Sequence, residues 1–308
     1  MLNIQRLRIL REIAQRGSIT AAAGSLFLTP SAVSQQMAAL ERETGVPVLE
    51  RVGRGVRLTE AGERLAARTD AVLAALEAAE ADLAAIAAGP VGRLTVCAFP
   101  TAARVLLVPA LVALGRRYPR LHITMVDLEP EESLPKLRVG ELDVVVTHEY
   151  GVLPSTADPA FDQEPLLTEP VFLALPRRHP RAGKPTTLAD LRDEQFIVGR
   201  DGSPFLDVVV RLAEGAGFHP HVDLHSNDFQ VILAAVSAGL GVALVPPIAI
   251  FGDFPDVVFQ RIKGLELERR VFAAVRAGSS SNPSISVVVE ALREAAAGVS
   301  LEIPMKRI

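Results

Sequence analysis

Apolar residues Leu2, Ile4, Leu7, Leu10 and Ile13 recur at near-helical spacing, and Gly17 closes the helix they predict. Ser18 can cap a second, short helix over "ITAAAGSLFL", whose alanines allow close packing. Thr29 is the next candidate N-cap, and Pro30 follows it at the first helical position, where a missing N–H costs nothing. In that third helix Val33, Met37 and Leu40 share one face and predict a core contact. Ser31, Ser34, Gln35 and Gln36 are left on or near the outer face of the helix start. By spacing alone these are three packed helices with a solvated polar face.

The stretch "GVPVLERVGRGVRLTEAG" (45–62) then reads as a turn, a short strand, a basic tip at Gly53-Arg54-Gly55 and a returning strand. This is a wing beside a polar helix start, the layout in which a reading helix meets base edges while flanking groups meet phosphates. After Thr59 a long helix is predicted over 60–88, opened by Glu60 and Glu63 where the dipole favours acids. Leu65, Val72, Ala79 and Ile86 repeat every seven residues, as do Thr69, Leu76 and Leu83, and together they make an a/d seam. "AAGPVGR" (87–93) ends the helix and marks a boundary.

From Gly92 onward strand-like and helix-like segments alternate. "RLTVCAF", "LHITMVD" and "LDVVVTHE" are strands separated by helices over 101–118 and 130–139. The alternation resumes after about residue 165 with "VFLALP", "QFIVG", the helix 204–216, "HVDLHS", the helix 228–239 and "GVALVP". A late strand "RRVFAAVR" and a helix over 283–297 return toward the first unit. Short buried strands between helices predict parallel sheets with covered faces.

Charge sharpens the picture of the head. Residues 1–65 hold nine Arg and six Glu, a net of +3, so the remainder carries −7 of the overall −4. No lysine precedes Lys136, and Arg suits phosphates and guanine edges better than Lys does. A basic head on an acidic body suggests a polyanion partner for the head alone. No apolar run is long enough to span a bilayer, the arginine-threaded N-terminus is unlike a signal peptide, and one cysteine, Cys97, cannot form an internal disulfide. The expectation is a cytoplasmic protein without a membrane partner.

The run "ITAAAGSLFLTPSAVSQQMAALERETGVPVLERVGRGVRLTEAG" resembles the DNA-binding domain of the LysR-type transcriptional regulators. The alanine-rich second helix, "S-A-V-S-x-Q", "L-E", "G-V-P", "E-R" and "R-L-T-E-A-G" follow one another in the family's order. Two departures stand out: Pro30 where the family often has Gln, and Val48-Leu49 where it often has Leu-Phe. The resemblance implies a winged helix-turn-helix (1–59), a linker and dimerisation helix (60–89) and a periplasmic-binding-protein-like α/β effector domain (90–308). The two lobes of that domain are expected at about 90–162 plus 268–308, and at 163–267. It also implies that Thr29, Pro30, Ser31, Ser34, Gln35 and Gln36 face the major groove of double-stranded DNA. Arg51 and Arg54 would meet phosphates or the minor groove. A homodimer through the linker helix, a homotetramer built on it and RNA polymerase as a further partner belong to the same expectation.

Ligands of such sheets sit at the carboxyl ends of strands, near helix starts. Thr101, Thr147, His148, Ser203 and Asn227 occupy such ends and are the candidate effector contacts. The resemblance carries Thr101, Thr147 and Ser203; His148 and Asn227 rest on position alone. The acidic run "DLEPEE" (127–132) would disfavour anionic effectors if it lined the cleft. A phosphate-cradling glycine loop, a nucleophile elbow and a convincing metal-ligand spacing are all missing from the sequence, and His219, His221 and His225 are the one histidine cluster. Neither a catalytic role nor a resident cofactor is expected. The reading is a transcriptional regulator modulated by a small molecule, with a constitutive or architectural DNA-binding repressor as the alternative.

Overall fold

The computed structural model describes residues 2–52, 55–88, 90–153 and 158–302. Helix α1 (Ile4–Arg16) is capped by Asn3, whose side chain accepts from the Gln5 and Arg6 amides, and it stops at Gly17 with φ 71°. Leu7, Ile9, Leu10 and Ile13 are its buried residues, whereas Leu2 and Ile4, expected on the same apolar face, are exposed. They precede or open the first turn and so miss the packed stripe. Helix α2 (Ile19–Ser25) begins at the Ser18 cap as expected but ends three residues early. Helix α3 (Pro30–Thr44) starts at Thr29, whose hydroxyl accepts from the Ala32 amide at 3.2 Å. Val33, Met37 and Leu40 close the core of the head against α1 and α2.

The wing is an antiparallel pair, β1 (Leu49–Val52) and β2 (Gly55–Leu58). Its angle to α3 is set by Glu41, whose carboxylate accepts from the Val48 and Leu49 amides at 2.9 and 3.1 Å. Thr59 ties the other end, its hydroxyl donating to the Pro47 carbonyl at 2.8 Å and accepting from the Gly62 amide at 3.1 Å. A β-carbon at Gly62 would lie 2.1 Å from the Val48 carbonyl oxygen, so the "TEAG" glycine permits this close approach. Helix α4 (Glu60–Ala88) follows and runs the full predicted length. Ala66, Thr69, Leu73, Ala74 and Ala78 are buried within the chain, while Val72 and Leu83 of the heptad seam are exposed. Thr69 thus packs inward instead of joining the open seam, and the side chain of Ile86 lies outside the described residues.

The first lobe is a five-stranded sheet in the order β4 (Leu121–Asp127), β3 (Gly92–Ala98), β5 (Val144–Tyr150), β12 (Glu268–Arg276), β6 (Phe161–Pro170). Strand β3 runs parallel to β4 and β5, but β12 is antiparallel to both β5 and β6, so the sheet is mixed instead of all-parallel. Between β3 and β4 the chain forms a short turn α5 (Pro100–Ala102), a π-helical turn (Ala103–Leu107) and α6 (Val108–Arg117). These pack with α10 (Pro283–Ala297) on one face of the sheet. Helix α7 (Pro130–Val139) covers the other face through Leu137, against Cys97, Val145 and Ala274.

In the second lobe β8 (Gln195–Val198) pairs in parallel with β9 (His221–His225), and β7 (Phe172–Pro176) lies between β10 (Ala243–Val245) and β11 (Val257–Gln260). The two pieces join where the Ile197 amide donates to the Val242 carbonyl at 2.9 Å and the Val242 amide to the Gln195 carbonyl at 2.8 Å. The resulting order β9-β8-β10-β7-β11 repeats the plan of the first lobe. Helices α8 (Pro204–Gly215) and α9 (Phe229–Ser237) pack onto it. The chain crosses between lobes at Pro170–Val171 and Leu267–Glu268, where the Val171 amide donates to the Leu267 carbonyl at 2.9 Å. Because β6 belongs to the first sheet, the first crossing falls after residue 170 and not at the expected 162–163.

Candidate nucleic-acid interface and effector cleft

In the head, Thr29, Pro30, Ser31, Ser34, Gln35 and Gln36 are all exposed at the start of α3. The Thr29 and Ser31 hydroxyls lie 3.0 Å apart, and Ser34 donates back to the Pro30 carbonyl at 2.9 Å, which orients these short side chains. Gln36 stands apart: its carbonyl accepts from Arg6 Nε at 3.0 Å, which holds the amide against α1. On the wing, Arg51 is exposed and, among the described residues, enters no ion pair, whereas Arg57 is held by Glu50 at 2.5 Å. Arg54 lies outside the described residues.

In the body, strand ends of both lobes converge on one cleft. Phe99, Thr101, Glu129, His148, Tyr150 and Arg269 face it from the first lobe, and Ser203, Phe205, Asn227 and Phe229 from the second. Ser203 is buried and caps α8, its oxygen accepting from the Leu206 amide at 3.3 Å. Asn227 accepts from the Arg200 amide at 2.9 Å through its carbonyl and lines the cleft beside it. A β-carbon at Gly199 would lie 2.1 Å from the Ser203 hydroxyl, so this glycine lets the loop and the helix cap meet.

Thr147 does not join them. It is buried in β5 opposite Phe272. The strand runs on to Tyr150, and side chains alternate, so His148 and Tyr150 face the cleft while Thr147 turns to the other side.

Among the described residues, three buried polar atoms in the cleft lack hydrogen-bond partners: the Thr101 hydroxyl, His148 Nδ1 and Arg104 Nε. The His148 ring is wedged edge-on between Phe99 at 4.6 Å and Tyr150 at 5.3 Å. Burial, seconded by the Arg269 cation, holds its pKa well below the ordinary imidazole value, so the ring is neutral and one nitrogen can accept. Arg269 is buried with Glu169, Nε and Nη2 both donating to one carboxylate oxygen at 2.9 and 2.7 Å. Sequence spacing carried no sign of this pair, nor of Arg104 and Arg200 at the cleft rim. Burial, then the neighbouring Glu131, pushes the Glu129 carboxyl up to about 7, against the pull of Arg269. Asp127, Glu129 and Glu132 do line the cleft, so the acidic run is part of it.

The space between the lobes has two parts. The inner part, against His148 and Arg269, is about 30 Å³, room for little more than a water. It adjoins an outer chamber of about 390 Å³ between Thr101, Glu129, Arg200 and Asn227, within the range of small-molecule sites. Arg104 closes one end by donating to the Ile248 carbonyl at 2.6 Å while stacking 4.3 Å from the Phe251 ring. A larger void of about 760 Å³ lies between α1, the wing and α7, but its rim charges are spent on one another, Arg11 with Asp70 and Arg138 with Asp158. Among the described residues, no group of three or more His, Cys, Asp or Glu is placed to hold a metal, and no helix is long and apolar enough to cross a membrane. Of the histidine cluster, His225 Nδ1 lies 3.0 Å from the Gly199 carbonyl oxygen and His219 lies 3.6 Å from Glu214.

A winged helix-turn-helix on a long helix, joined to a two-lobed body with a cleft, defines a transcriptional regulator of the DNA-binding class. The model of the bacterial regulatory helix-turn-helix proteins of the lysR family matches residues 4–63, and that of the LysR substrate binding domain matches residues 87–297. The chain belongs to the LysR family of transcriptional regulators. It is 29% identical over 295 residues to the probable HTH-type transcriptional regulator LrrA of Synechococcus elongatus, covering 96% of this chain and 98% of that one. It is 28% identical over 287 residues to the regulator AlsR of Bacillus subtilis, covering 92% and 93%. Among solved structures, an OxyR cysteine mutant of Corynebacterium glutamicum matches with a TM-score of 0.57 at 29% identity, over 96% of this chain and 94% of that one. Full-length CbnR complexed with its target DNA matches at 0.52 and 26% identity, over 96% and 100%. The homologues are regulators and not enzymes.

Proposed function

We propose that this chain is a cytoplasmic, sequence-specific regulator whose DNA binding or activation is set by a small molecule held between Thr101, His148, Ser203 and Asn227. One observation carries the effector reading: the Thr101 hydroxyl and His148 Nδ1 are buried without partners where the two lobes meet. Buried polar groups left unpaired cost stability, and a ligand that pairs them recovers it. Binding across both lobes favours one interlobe arrangement by the ligand's differential affinity for it, and that preference reaches the heads through α4. A thiol sensor is not the mechanism, since the one cysteine, Cys97, is fully buried with its pKa pushed up to about 11 by burial.

In the head, Thr29, Pro30, Ser31, Ser34 and Gln35 are the base-facing group, with Gln35 suited to adenine. Gln36 is a weaker member because Arg6 holds its carbonyl. Arg51 and Arg54 would neutralise phosphates. The exposed Val72 and Leu83 make α4 the surface on which two copies pair, and a tetramer would build on that pair.

The small inner void favours a second reading, a constitutive or architectural DNA-binding repressor that takes no effector. Fluorescence anisotropy on the DNA upstream of the chain's own gene, at several salt concentrations, tests the first claim. Specific binding about a thousandfold tighter than binding to random DNA is expected. Metabolites are then added to that complex. A compound that changes affinity in the wild type and not in Thr101→Val supports the cleft reading; a full panel without response supports the constitutive one.

A further inference from the structure

The turn between α2 and α3 carries the one non-glycine residue of positive φ among the described residues. Phe27 has φ 54° and is 96% exposed. The turn is a Schellman closure: the Leu28 amide donates to the Ala23 carbonyl at 2.8 Å and the Phe27 amide to the Gly24 carbonyl at 3.3 Å. Glycine is the usual residue at that position, because a β-carbon in the left-handed region crowds the following carbonyl. A bare aromatic ring on a strained backbone serves neither the cap nor the core. Its place in the chain suggests what does use it.

Thr29, two residues on, caps the helix start that carries the base-facing group, and Leu28 between them is 43% exposed. From Gly17 to Leu40 the chain has no charged residue, so this face meets DNA without cations of its own. With the start of α3 in the major groove, the turn residues that lead into the Thr29 cap, Phe27 and Leu28, lie at the groove edge, over the sugar–phosphate strand.

We propose that Phe27 is a DNA contact whose ring packs on the deoxyribose edge of the strand beside the major groove. The inference rests on the placement of α3 proposed above. Such a contact is apolar and blind to sequence, and it releases no counterion.

The test uses the full chain carrying Phe27→Gly and, separately, Phe27→Asn, which keeps a residue tolerant of the left-handed turn. DNA from upstream of the chain's own gene and random DNA of equal length are the probes. Both variants are expected to melt no lower than the wild type. Both should bind each DNA about fivefold more weakly, the loss expected for part of a buried aromatic face. The salt slope and the ratio between the two DNAs should stay at wild-type values. Unchanged affinity in both variants overturns the proposal, as does a change of oligomeric mass with DNA affinity intact, which would assign the ring to a protein partner. Gln35→Ala run in parallel separates the two claims. Lost discrimination there with Phe27 neutral sinks the ring contact alone; retained discrimination sinks the placement of α3 and the ring with it.

Discussion

Glu169 and Arg269 hold one another at the two strands that cross between the lobes, each essentially inaccessible to solvent. The second Glu169 oxygen accepts from the Ile248 amide at 3.1 Å, so the pair also pins the segment that Arg104 reaches from the first lobe. Arg269 further lies 5.1 Å from the Phe99 ring centroid at the cleft floor. Removing one partner of a buried pair leaves the other charge uncompensated, which costs about 3–5 kcal/mol, whereas replacing both by apolar residues costs far less. Glu169→Ala is therefore expected to lower stability in urea by that amount, and Glu169→Leu with Arg269→Met to recover most of it. Equal losses in the single and double variants would show that the pair is not the stabilising unit.

Glu129 makes stability depend on pH. Its carboxyl is raised to about 7 in the fold by burial and by Glu131 and Glu132, with Arg269 and Arg200 opposing. Between the unfolded value near 4.5 and about 7 the folded state binds the extra proton, so stability falls as pH rises through that window. Glu129→Gln removes the penalty, of order 2 kcal/mol. Its melting temperature should match the wild type near pH 4 and exceed it at pH 8. Parallel curves for the two proteins across this range would place the proton elsewhere.

How much of this could be read in advance differs by region, for physical reasons. The head was legible because its signals are local: Ser18 and Thr29 as caps, Gly17 as a stop, and Val33, Met37 and Leu40 on one face. Strand β6 was missed because "FDQEPLLTEP" contains Pro165 and Pro170, which argue against a strand unless it lies at a sheet edge, as β6 does. Thr101, His148, Ser203 and Asn227 were selected as candidates by the rule that sites gather at strand ends, and the structure brings them together around one cleft. The same rule misplaced Thr147, because it selected two adjacent strand residues, and only one of Thr147 and His148 can face the cleft when successive side chains point to opposite faces. Glu169 and Arg269 lie a hundred residues apart, and no local pattern announces a pairing set by two crossing strands.

Thr101 gives a sharper test of the cleft. Its hydroxyl is buried without a partner, so Thr101→Val, which keeps the shape, relieves a desolvation cost of about 1 kcal/mol. The variant is expected to melt slightly higher than the wild type in the absence of effector and to lose the effector's thermal shift. A variant that melts lower, or that still responds fully, would show that the hydroxyl is satisfied within the protein.

Helix α4 divides its faces between its own chain and open solvent. Leu73, Ala74 and Ala78 are buried, while Val72 is 45% and Leu83 71% exposed. Val72→Asp with Leu83→Asp puts charges where a second copy would pack, without touching the inward face. Light scattering should show the wild type as an oligomer and the variant as a folded monomer with an unchanged circular dichroism spectrum. An oligomer that survives both charges would move the pairing surface away from this helix.

The wing arginines should not behave alike. Arg57 sits opposite Glu50 across the hairpin and is held by it, so its charge is already compensated, whereas Arg51 is exposed and, among the described residues, unpaired. A cation that meets a phosphate displaces a condensed counterion, and each such contact adds about one unit to the slope of log affinity against log salt. Arg51→Ala is therefore expected to flatten that slope by about one and to weaken specific and random DNA alike, since phosphates carry no sequence. Arg57→Ala should change the slope less, because Glu50 opposes the same contact; Glu50→Gln, by freeing Arg57, should tighten binding at low salt. A slope indifferent to Arg51 but sensitive to Arg57 would mean that the hairpin meets DNA through its other face, and the wing would have to be turned over.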